Sequence, residues 1–117
     1  MRNYNFSWKE SKYHNKKCIY KGMKFDSKKE MYYYIKLEAL QSNGIIKDLK
    51  RQVEFVLLET FKLEDKTYRK TSYIADFTYI DDKGKYHVVD TKGVKTDVYL
   101  LKKKLMAWKY GIKIEEV

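Results

Sequence analysis

Two apolar runs of residues flank a short polar break between Ser72 and Lys92. The runs S-Y-I-A-D-F-T-Y-I and Y-H-V-V-D-T-K are rich in β-branched and aromatic residues, which is typical of paired strands. Between them, Asp82-Lys83-Gly84 fits a three-residue hairpin loop whose last position is a left-handed glycine. Counting outward from this loop sets Asp76 directly opposite Asp90.

Two other segments have the spacing of amphipathic helices. The first spans about residues 26–42 and is ended by Asn43-Gly44. The second is capped by Thr96 or Asp97 and ends at Gly111. Apolar residues of the second helix recur every three or four positions and are expected to pack on a sheet as one stripe: Val98, Leu101, Leu105 and Trp108.

The remaining segments have weaker patterns. The segment 19–25, around Gly22, predicts a small hairpin or an extended lead-in. The segment 52–58 alternates and predicts the first core strand, whereas 61–71 is expected to be a charged connection, with no internal signal. The segment 112–115 alternates as a final strand. The core order is therefore helix, strand, strand, strand, helix, strand, which is an α/β (α+β) class.

The hairpin brings charged side chains into an apolar setting. Like charges directly opposite each other destabilise a strand pair, and carboxylates among apolar residues lose solvation. Since side chains alternate along a strand, Asp90 and Lys92 share a face. A divalent cation bound by Asp76 and Asp90 would remove both penalties. The alternatives are that one aspartate faces solvent at a frayed strand end, or that Lys92 simply pairs with an aspartate.

Composition and charge limit the class of protein. The 117 residues suit one domain, and 44% hydrophobic residues exclude a chain that is disordered by composition. No apolar run approaches the ~20 residues that cross a bilayer, and no signal peptide opens the chain. The lone Cys18 suits a reducing compartment, so we expect a cytoplasmic protein without membrane partners. Cys18, His14 and His87 make a poor zinc set.

The net charge of +10 favours a polyanionic partner, chiefly nucleic acid. Residues 1–25 interleave lysines with aromatic residues, which suits an arm that contacts phosphates and bases or one that packs on the domain 26–117. The alternative is that the lysine excess reflects an AT-rich genome. Candidate phosphate contacts, or else parts of a solvated basic face, are Lys28, Lys29, Arg69, Lys70, Lys95, Lys102 and Lys103.

The acids and the lysine resemble the motif of the PD-(D/E)XK nuclease superfamily. Asp76 matches the acid on one strand, although Ala75 stands where the family name has proline, and Asp90-Thr91-Lys92 matches D/E-x-K on the next. The triplet alone is frequent in this chain, but the copy at Asp90 ends an apolar strand and faces a second acid. The resemblance covers about residues 20–117 and implies a restriction-endonuclease-like core, with a central mixed β-sheet flanked by helices.

The resemblance also implies roles for two residues outside the hairpin. Small phage-encoded relatives carry an F-D-S-K-x-E lead into the first helix, as in residues 25–30, and its acid completes the metal site. Glu30 has a competing role, because Ser27-x-x-Glu30 is a capping box. Gln52 matches a glutamine beside the active site of the phage group, and a polar strand end is its alternative role.

The expected function is a Mg²⁺-dependent endodeoxyribonuclease, with Mn²⁺ as a substitute. Glu30, Asp76 and Asp90 would hold the metal, and Lys92 would position or activate water. The likeness to Holliday junction resolvase-like phage proteins implies cleavage of branched DNA in recombination or genome processing, with a possible homodimer. The alternatives are a non-catalytic nucleic-acid- or protein-binding module on a nuclease fold, and a monomeric repair or restriction-type nickase.

Overall fold

A computed structural model describes residues 8–10, 16–92 and 95–117. The chain divides into two compact units, Met1–Ile45 and Ile46–Val117. Part of the expected arm of residues 1–25 lies outside the described residues, so its contact with DNA and its separation from the domain 26–117 stay predictions. No helix among the described residues is long and apolar enough to cross a membrane.

The first unit contains a small antiparallel sheet and one helix. Its elements are β1 (Trp8–Glu10), β2 (Lys16–Tyr20), β3 (Met23–Phe25) and α1 (Lys28–Ser42). The sheet order is β1-β2-β3. Lys21 and Gly22 connect β2 to β3 with φ values of 50° and 79°, the conformation of a two-residue hairpin turn that matches strand twist. Of the two alternatives that the sequence leaves open around Gly22, the structure has the hairpin.

Helix α1 begins and ends where its capping residues predict. The Ser27 side chain accepts a hydrogen bond from the Glu30 N–H at 3.1 Å, which satisfies one of the free donors of the first turn. Asn43 is the C-cap residue, and Gly44 follows with a φ of 74°.

The second unit is built on a four-stranded sheet. Its elements are β4 (Lys47–Leu58), β5 (Phe61–Leu63), β6 (Lys66–Tyr68), β7 (Thr71–Ile80), β8 (Tyr86–Asp90), α2 (Asp97–Tyr110) and β9 (Glu115–Glu116). The strand order is β4-β7-β8-β9. β4, β7 and β8 pair antiparallel, whereas β9 pairs parallel to β8. The sheet is therefore mixed, as expected, and the protein has the α+β class.

The β7–β8 hairpin has the predicted loop and register. The Asp81 N–H donates to the Lys85 carbonyl at 2.9 Å, and Gly84 is left-handed with a φ of 83°. Phe77 pairs with Val89, and the register is unshifted back to the loop. A three-residue loop ending in glycine therefore sets the pairing of the two central strands.

Two predictions about the residues from 47 to 71 are wrong. β4 begins at Lys47 rather than Gln52, because the exposed edge strand accepts polar residues beyond the apolar alternation. The expected connection 61–71 contains the β5–β6 hairpin, whose six strand residues are all exposed. Phe61 and Tyr68 stack across it with centroids 4.9 Å apart. A pair of short exposed strands has no buried face, so it produces no alternation in the sequence.

Helix α2 is capped as predicted but packs with a different face. Thr96 accepts from the Tyr99 N–H, and Gly111 ends the helix in the left-handed region. The buried residue is Met106, which joins a core cluster with Tyr73 and other sheet residues. The predicted packing stripe is wrong, since most of it is exposed: Val98 62%, Leu101 55% and Trp108 77%. The helix has apolar residues on two sides, so its sequence left the packing face ambiguous.

The end of the chain pairs later than predicted. β9 consists of Glu115–Glu116 rather than residues 112–115. Ile114, just before it, is 3% exposed and belongs to the core cluster, so its burial rather than its pairing explains the apolar pattern.

His87 joins the β7–β8 hairpin to β9. Its Nε2 lies 2.7 Å from Asp81 Oδ2 and its Nδ1 lies 2.5 Å from Glu115 Oε2. Two carboxylates on one ring favour the imidazolium, in which both nitrogens donate. Burial lowers the pKa of His87, but the hydrogen bonds to Asp81 and Glu115 outweigh it and the pKa is raised. The His87 hydrogen bond lowers the pKa of Asp81 to about 2.

The raised pKa of His87 predicts stability that falls in alkali. Its contribution is complete below the unfolded value of about 6.5 and is lost as pH rises through the higher folded value. We expect the free energy of unfolding of the wild type to fall more between about pH 6 and pH 8.5 than that of His87→Gln. Urea titrations at both pH values measure this, and parallel losses in the two proteins would contradict the imidazolium bridge.

Candidate active site

Asp76 and Asp90 lie on the two central strands with little access to solvent. They are 1% and 4% exposed. The register that pairs Phe77 with Val89, carried one residue further, sets Asp76 opposite Asp90. Residues opposite each other in an antiparallel pair point to the same face, so the two carboxylates are neighbours.

Thr91 holds the carboxylate of Asp76. Both its backbone N–H and its hydroxyl donate to Asp76 Oδ2, each at 2.8 Å. β8 ends at Asp90, so Thr91 is no longer required for the ladder and its N–H can turn to the neighbouring strand. Thr91 is itself 4% exposed. Two donors on one buried oxygen therefore fix the orientation of the Asp76 carboxylate.

Asp90 is oriented by one bond on each oxygen. The Lys92 N–H donates to Oδ1 at 2.8 Å, and the Tyr73 hydroxyl donates to Oδ2 at 2.7 Å. Burial raises the pKa of the Tyr73 hydroxyl, and its hydrogen bond to Asp90 raises it further, so Tyr73 remains a donor. Both hydrogen bonds have a charged acceptor, and together they fix the plane of the Asp90 carboxylate.

Lys92 brings one positive charge to the two acids. Its Nζ lies 3.9 Å from Asp76 Oδ1, and its side chain is 55% exposed while that of Asp76 is 1% exposed. At this distance the ammonium attracts the carboxylate but does not make a close hydrogen bond. One half-exposed ammonium neutralises only part of two buried carboxylates.

The donor set suits a hard divalent cation. Mg²⁺ binds one or two carboxylates and completes its shell with water and phosphate oxygens. Among the described residues, Asp90 accepts one hydrogen bond on each oxygen, and a carboxylate oxygen can accept a second contact. Within the described ranges, no group of three or more His, Cys, Asp or Glu side chains is placed to hold a metal ion. Two carboxylates are oxygen donors of the kind that Mg²⁺ and Mn²⁺ take.

Glu30 and Gln52 occupy different units. Glu30 lies in the first turn of α1 in the first unit and is 1% exposed. Its backbone N–H takes part in the cap on Ser27, and a role of its carboxylate at the metal stays a prediction. Gln52 lies in β4 of the second unit, between Arg51 and Val53, with a left-handed φ of 53°.

Gln52 lies opposite Asp76 on the adjacent strand, β4. Arg51 pairs with Phe77, and Val53 pairs with Ala75. Gln52, between Arg51 and Val53 on β4, therefore faces Asp76, between Ala75 and Phe77 on β7. A left-handed backbone costs a non-glycine residue roughly 1–2 kcal/mol. Such strain tends to occur at functional positions, and here it lies one strand away from a buried carboxylate.

Ion pairs inside the protein engage several of the basic candidates. Lys70 lies 3.0 Å from Glu54, while Lys95 and Lys103 lie 3.0 and 3.1 Å from Glu116. The hydrogen bond from Tyr99, with those from the two lysines, lowers the pKa of Glu116 to about 2. The other candidates are exposed, except for the half-buried Lys102: Lys28, Lys29, Arg69 and Lys102.

Sequence reasoning missed three residues around the acids: Tyr73, Thr91 and Glu116. Tyr73 reads as an ordinary strand aromatic, and Thr91 is the unspecified middle residue of D-x-K. Glu116 pairs with Asp90 in the β8–β9 ladder and extends the row of acids to a third strand. Donation to a buried acid, as by Tyr73 and Thr91, and pairing with a strand distant in sequence, as by Glu116, leave no pattern in the sequence, so the sequence offered no signal for these roles.

The site lies inside a segment with a family match. Residues 10–115 match the family described as protein of unknown function (DUF1064). The chain belongs to the DUF1064 family. The match runs from β1 into β9 and includes Asp76, Asp90 and Lys92. No curated protein and no solved structure matches the chain significantly.

The Thr91 hydroxyl is expected to stabilise this DUF1064 protein through Asp76. Thr91→Val keeps the N–H bond and the shape but removes the O–H donor, so metal-free protein should lose about 1.5–3 kcal/mol, the worth of a bond to a charged group. Thr91→Ser keeps the donor and is the control. Urea unfolding in a chelator measures both, and a valine variant as stable as the serine variant would contradict the contact.

Proposed function

We propose that this protein is a Mg²⁺-dependent endodeoxyribonuclease of the PD-(D/E)XK type. The observation that carries the proposal is the pair of buried carboxylates, Asp76 and Asp90, facing each other with Lys92 beside them. The mixed sheet with a helix after β8 agrees with that fold at a coarse level. The net charge of +10 supports a DNA substrate.

The charge balance of the pair supports metal binding. Two like charges on opposed strands repel each other, and burial removes the water that would screen them. The bonds from Thr91, Tyr73 and the Lys92 N–H orient the two carboxylates without supplying a full positive charge. A divalent cation adds the missing charge, so its binding is favoured at this position.

Each residue has a separate task in hydrolysis. Asp76 and Asp90 would hold Mg²⁺, which supplies charge stabilisation at the phosphate and lowers the pKa of bound water. The Lys92 ammonium, half exposed and 3.9 Å from Asp76, can hold an attacking water or a phosphate oxygen by donating a hydrogen bond. Thr91 and Tyr73 are positioning residues, since they fix the two carboxylates and contact neither water nor phosphate in this scheme.

Branched DNA is the proposed substrate, from the resemblance to small phage nucleases. One observation favours a second function, a non-catalytic nucleic-acid-binding module. The oxygens of Asp76 and Asp90 already accept hydrogen bonds or lie near Lys92, so they are partly satisfied without a cation. Binding of DNA without cleavage in Mg²⁺, across duplex, flap and four-way junction substrates, would support this alternative.

Cleavage is expected to depend on Asp90 and Lys92. Asp90→Asn and Lys92→Met should each lower the rate by about 100-fold or more, because they remove a metal ligand and a positioned donor. Binding of the same DNA should change little. Single-turnover cleavage and a binding titration, both in Mg²⁺, measure the two effects.

Matched controls lie in the loop of the same hairpin. Asp82 and Lys83 are exposed, and Asp82→Asn and Lys83→Met make the same charge changes away from the site. Both controls should cleave like the wild type. Wild-type rates for the Asp90 and Lys92 variants would rule out the proposed site.

Magnesium is expected to stabilise the folded protein through Asp90, independently of activity. At about 100 times the dissociation constant, Mg²⁺ adds about 2.7 kcal/mol to the free energy of unfolding. Asp90→Asn should lose most of this rise. Without metal it should be as stable as the wild type or slightly more, since removing the repulsion gains roughly 0.2–1 kcal/mol. The Tyr73 hydroxyl can rotate to accept from the new amide.

Thermal melts with Mg²⁺ and with chelator test this expectation. Asp82→Asn should respond like the wild type. An equal response of Asp90→Asn and the wild type would mean that the buried carboxylates do not form the metal site.

A further inference from the structure

One carboxylate on β9 holds two lysines of the segment that contains α2. Lys95 Nζ lies 3.0 Å from Glu116 Oε1, and Lys103 Nζ donates to Glu116 Oε2 at 3.1 Å. The Tyr99 hydroxyl donates to the same Oε2 at 2.7 Å. These three donors follow one another at intervals of four residues, so they lie along one side of the helix and its approach. We call Lys95, Lys103 and Glu116 the lysine clamp.

The lysine clamp lies beside the acid pair. Glu116 pairs with Asp90 in the parallel β8–β9 ladder, where neighbouring strands lie about 4.8 Å apart. The Tyr99 ring lies 6.4 Å, between centroids, from the ring of Tyr73, whose hydroxyl donates to Asp90. Burial raises the pKa of Tyr99, its bond to Glu116 raises it further, and the charges of Asp90, Glu116 and Asp76 add to this. The clamp and the acids therefore share one region of the sheet.

The clamp carries one positive charge in excess. Two ammonium groups face a single carboxylate, so its net charge is +1. An internal ion pair that only fixed β9 to α2 would need one ammonium, and Tyr99 already adds a neutral bond. The charge of Glu116 therefore does not account for the second lysine. A phosphodiester group carries the single negative charge that would complete the balance.

Both ammonium groups keep donors for a ligand. The side chains of Lys95 and Lys103 are 56% and 34% exposed. An ammonium has three N–H donors, and each lysine uses one on Glu116 in the described structure. The two lysines contact different oxygens of one carboxylate. They are therefore spaced to reach two oxygens of one phosphate in the same way.

Glu116 also reduces the cost of binding. A lysine side chain that is ordered only on contact with a ligand loses rotamer freedom at that moment. Here the contacts to Glu116 already hold both long side chains beside Asp90. The hydrogen bond from Tyr99 holds the carboxylate itself. Glu116 and Tyr99 are thus positioning residues, because they orient the lysines and contact no phosphate.

We propose that Lys95 and Lys103 together bind one phosphodiester group of DNA, adjacent to the phosphate held at Asp76 and Asp90. The inference rests on the DNA substrate of the proposed function. The lysine clamp would set the path of the DNA strand across the end of β8 and β9, while the acid pair and Lys92 would act on the neighbouring phosphate. Lys102, although it lies next to Lys103 in sequence, has no place in this contact.

The salt dependence of DNA binding tests the clamp. The slope of log affinity against log salt concentration counts neutralised phosphates, at about 0.9 for each on duplex DNA. Lys95→Met and Lys103→Met should each make the slope shallower by about 0.9, since the clamp then has no net positive charge. Lys103→Arg should keep the wild-type slope. Fluorescence anisotropy of a labelled duplex in chelator measures binding without cleavage.

Lys104→Met is the matched control on the same helix. Lys104 is exposed and lies at least about 100° around α2 from Lys103 and Tyr99, so this variant removes the same charge away from the clamp. Its slope should stay close to that of the wild type. Thermal melts check that each variant is folded. A purely structural role of Lys103 would change the melting temperature and leave the slope unaltered.

The outcomes separate this inference from the nuclease proposal. Equal slopes for Lys103→Met and Lys104→Met would overturn the clamp, even if cleavage still depends on Asp90 and Lys92. A shallower slope for Lys95→Met and Lys103→Met alone, in a protein that does not cleave DNA, would support the clamp and remove the nuclease. A wild type that does not bind the duplex, or binds it independently of salt, would overturn the clamp together with its DNA substrate.

Discussion

The repulsion between two buried carboxylates is the constraint that organises the second unit. Asp76 and Asp90 share one face of the central strand pair, and hydrogen bonds from their neighbours hold both carboxylates in place. Consecutive residues after β8 make most of these bonds. Thr91 donates twice to Asp76, and the N–H of Lys92 donates to Asp90. The spacing D-x-K thus has a physical meaning. β8 ends at Asp90, so the middle residue of the motif, Thr91, can turn its N–H toward Asp76.

The position of this pair could be predicted because its causes are local. A glycine at the last position of a three-residue loop sets the register, and every pairing of the hairpin follows from it. A slip of one residue would move Asp76 away from Asp90 and turn the apolar set outward, so register and core agree. The helix ends were predictable for the same reason, since Ser27 and Thr96 bond within their own first turns.

What the sequence did not reveal depends on tertiary contacts. Helix α2 has two apolar faces, and only the sheet decides that Met106 is buried while Trp108 is exposed. The β5–β6 hairpin lacks a buried face altogether, so no alternation marks it. Thr91 and Tyr73 act through hydrogen bonds to residues 15 and 17 positions away. Neither periodicity nor spacing carries information about a donor that arrives from another strand.

Two unfavourable features meet at one place in the sheet. The carboxylate of Asp76 is buried near a second acid, and Gln52, across from it on β4, has a left-handed backbone in the middle of a strand. Roughly 1–2 kcal/mol of backbone strain beside a repelling charge pair is a large fraction of the 5–15 kcal/mol that holds a domain folded. Apolar residues and an ordinary strand would stabilise the same sheet better. Two local rules broken on neighbouring strands favour a site shaped by binding rather than by stability.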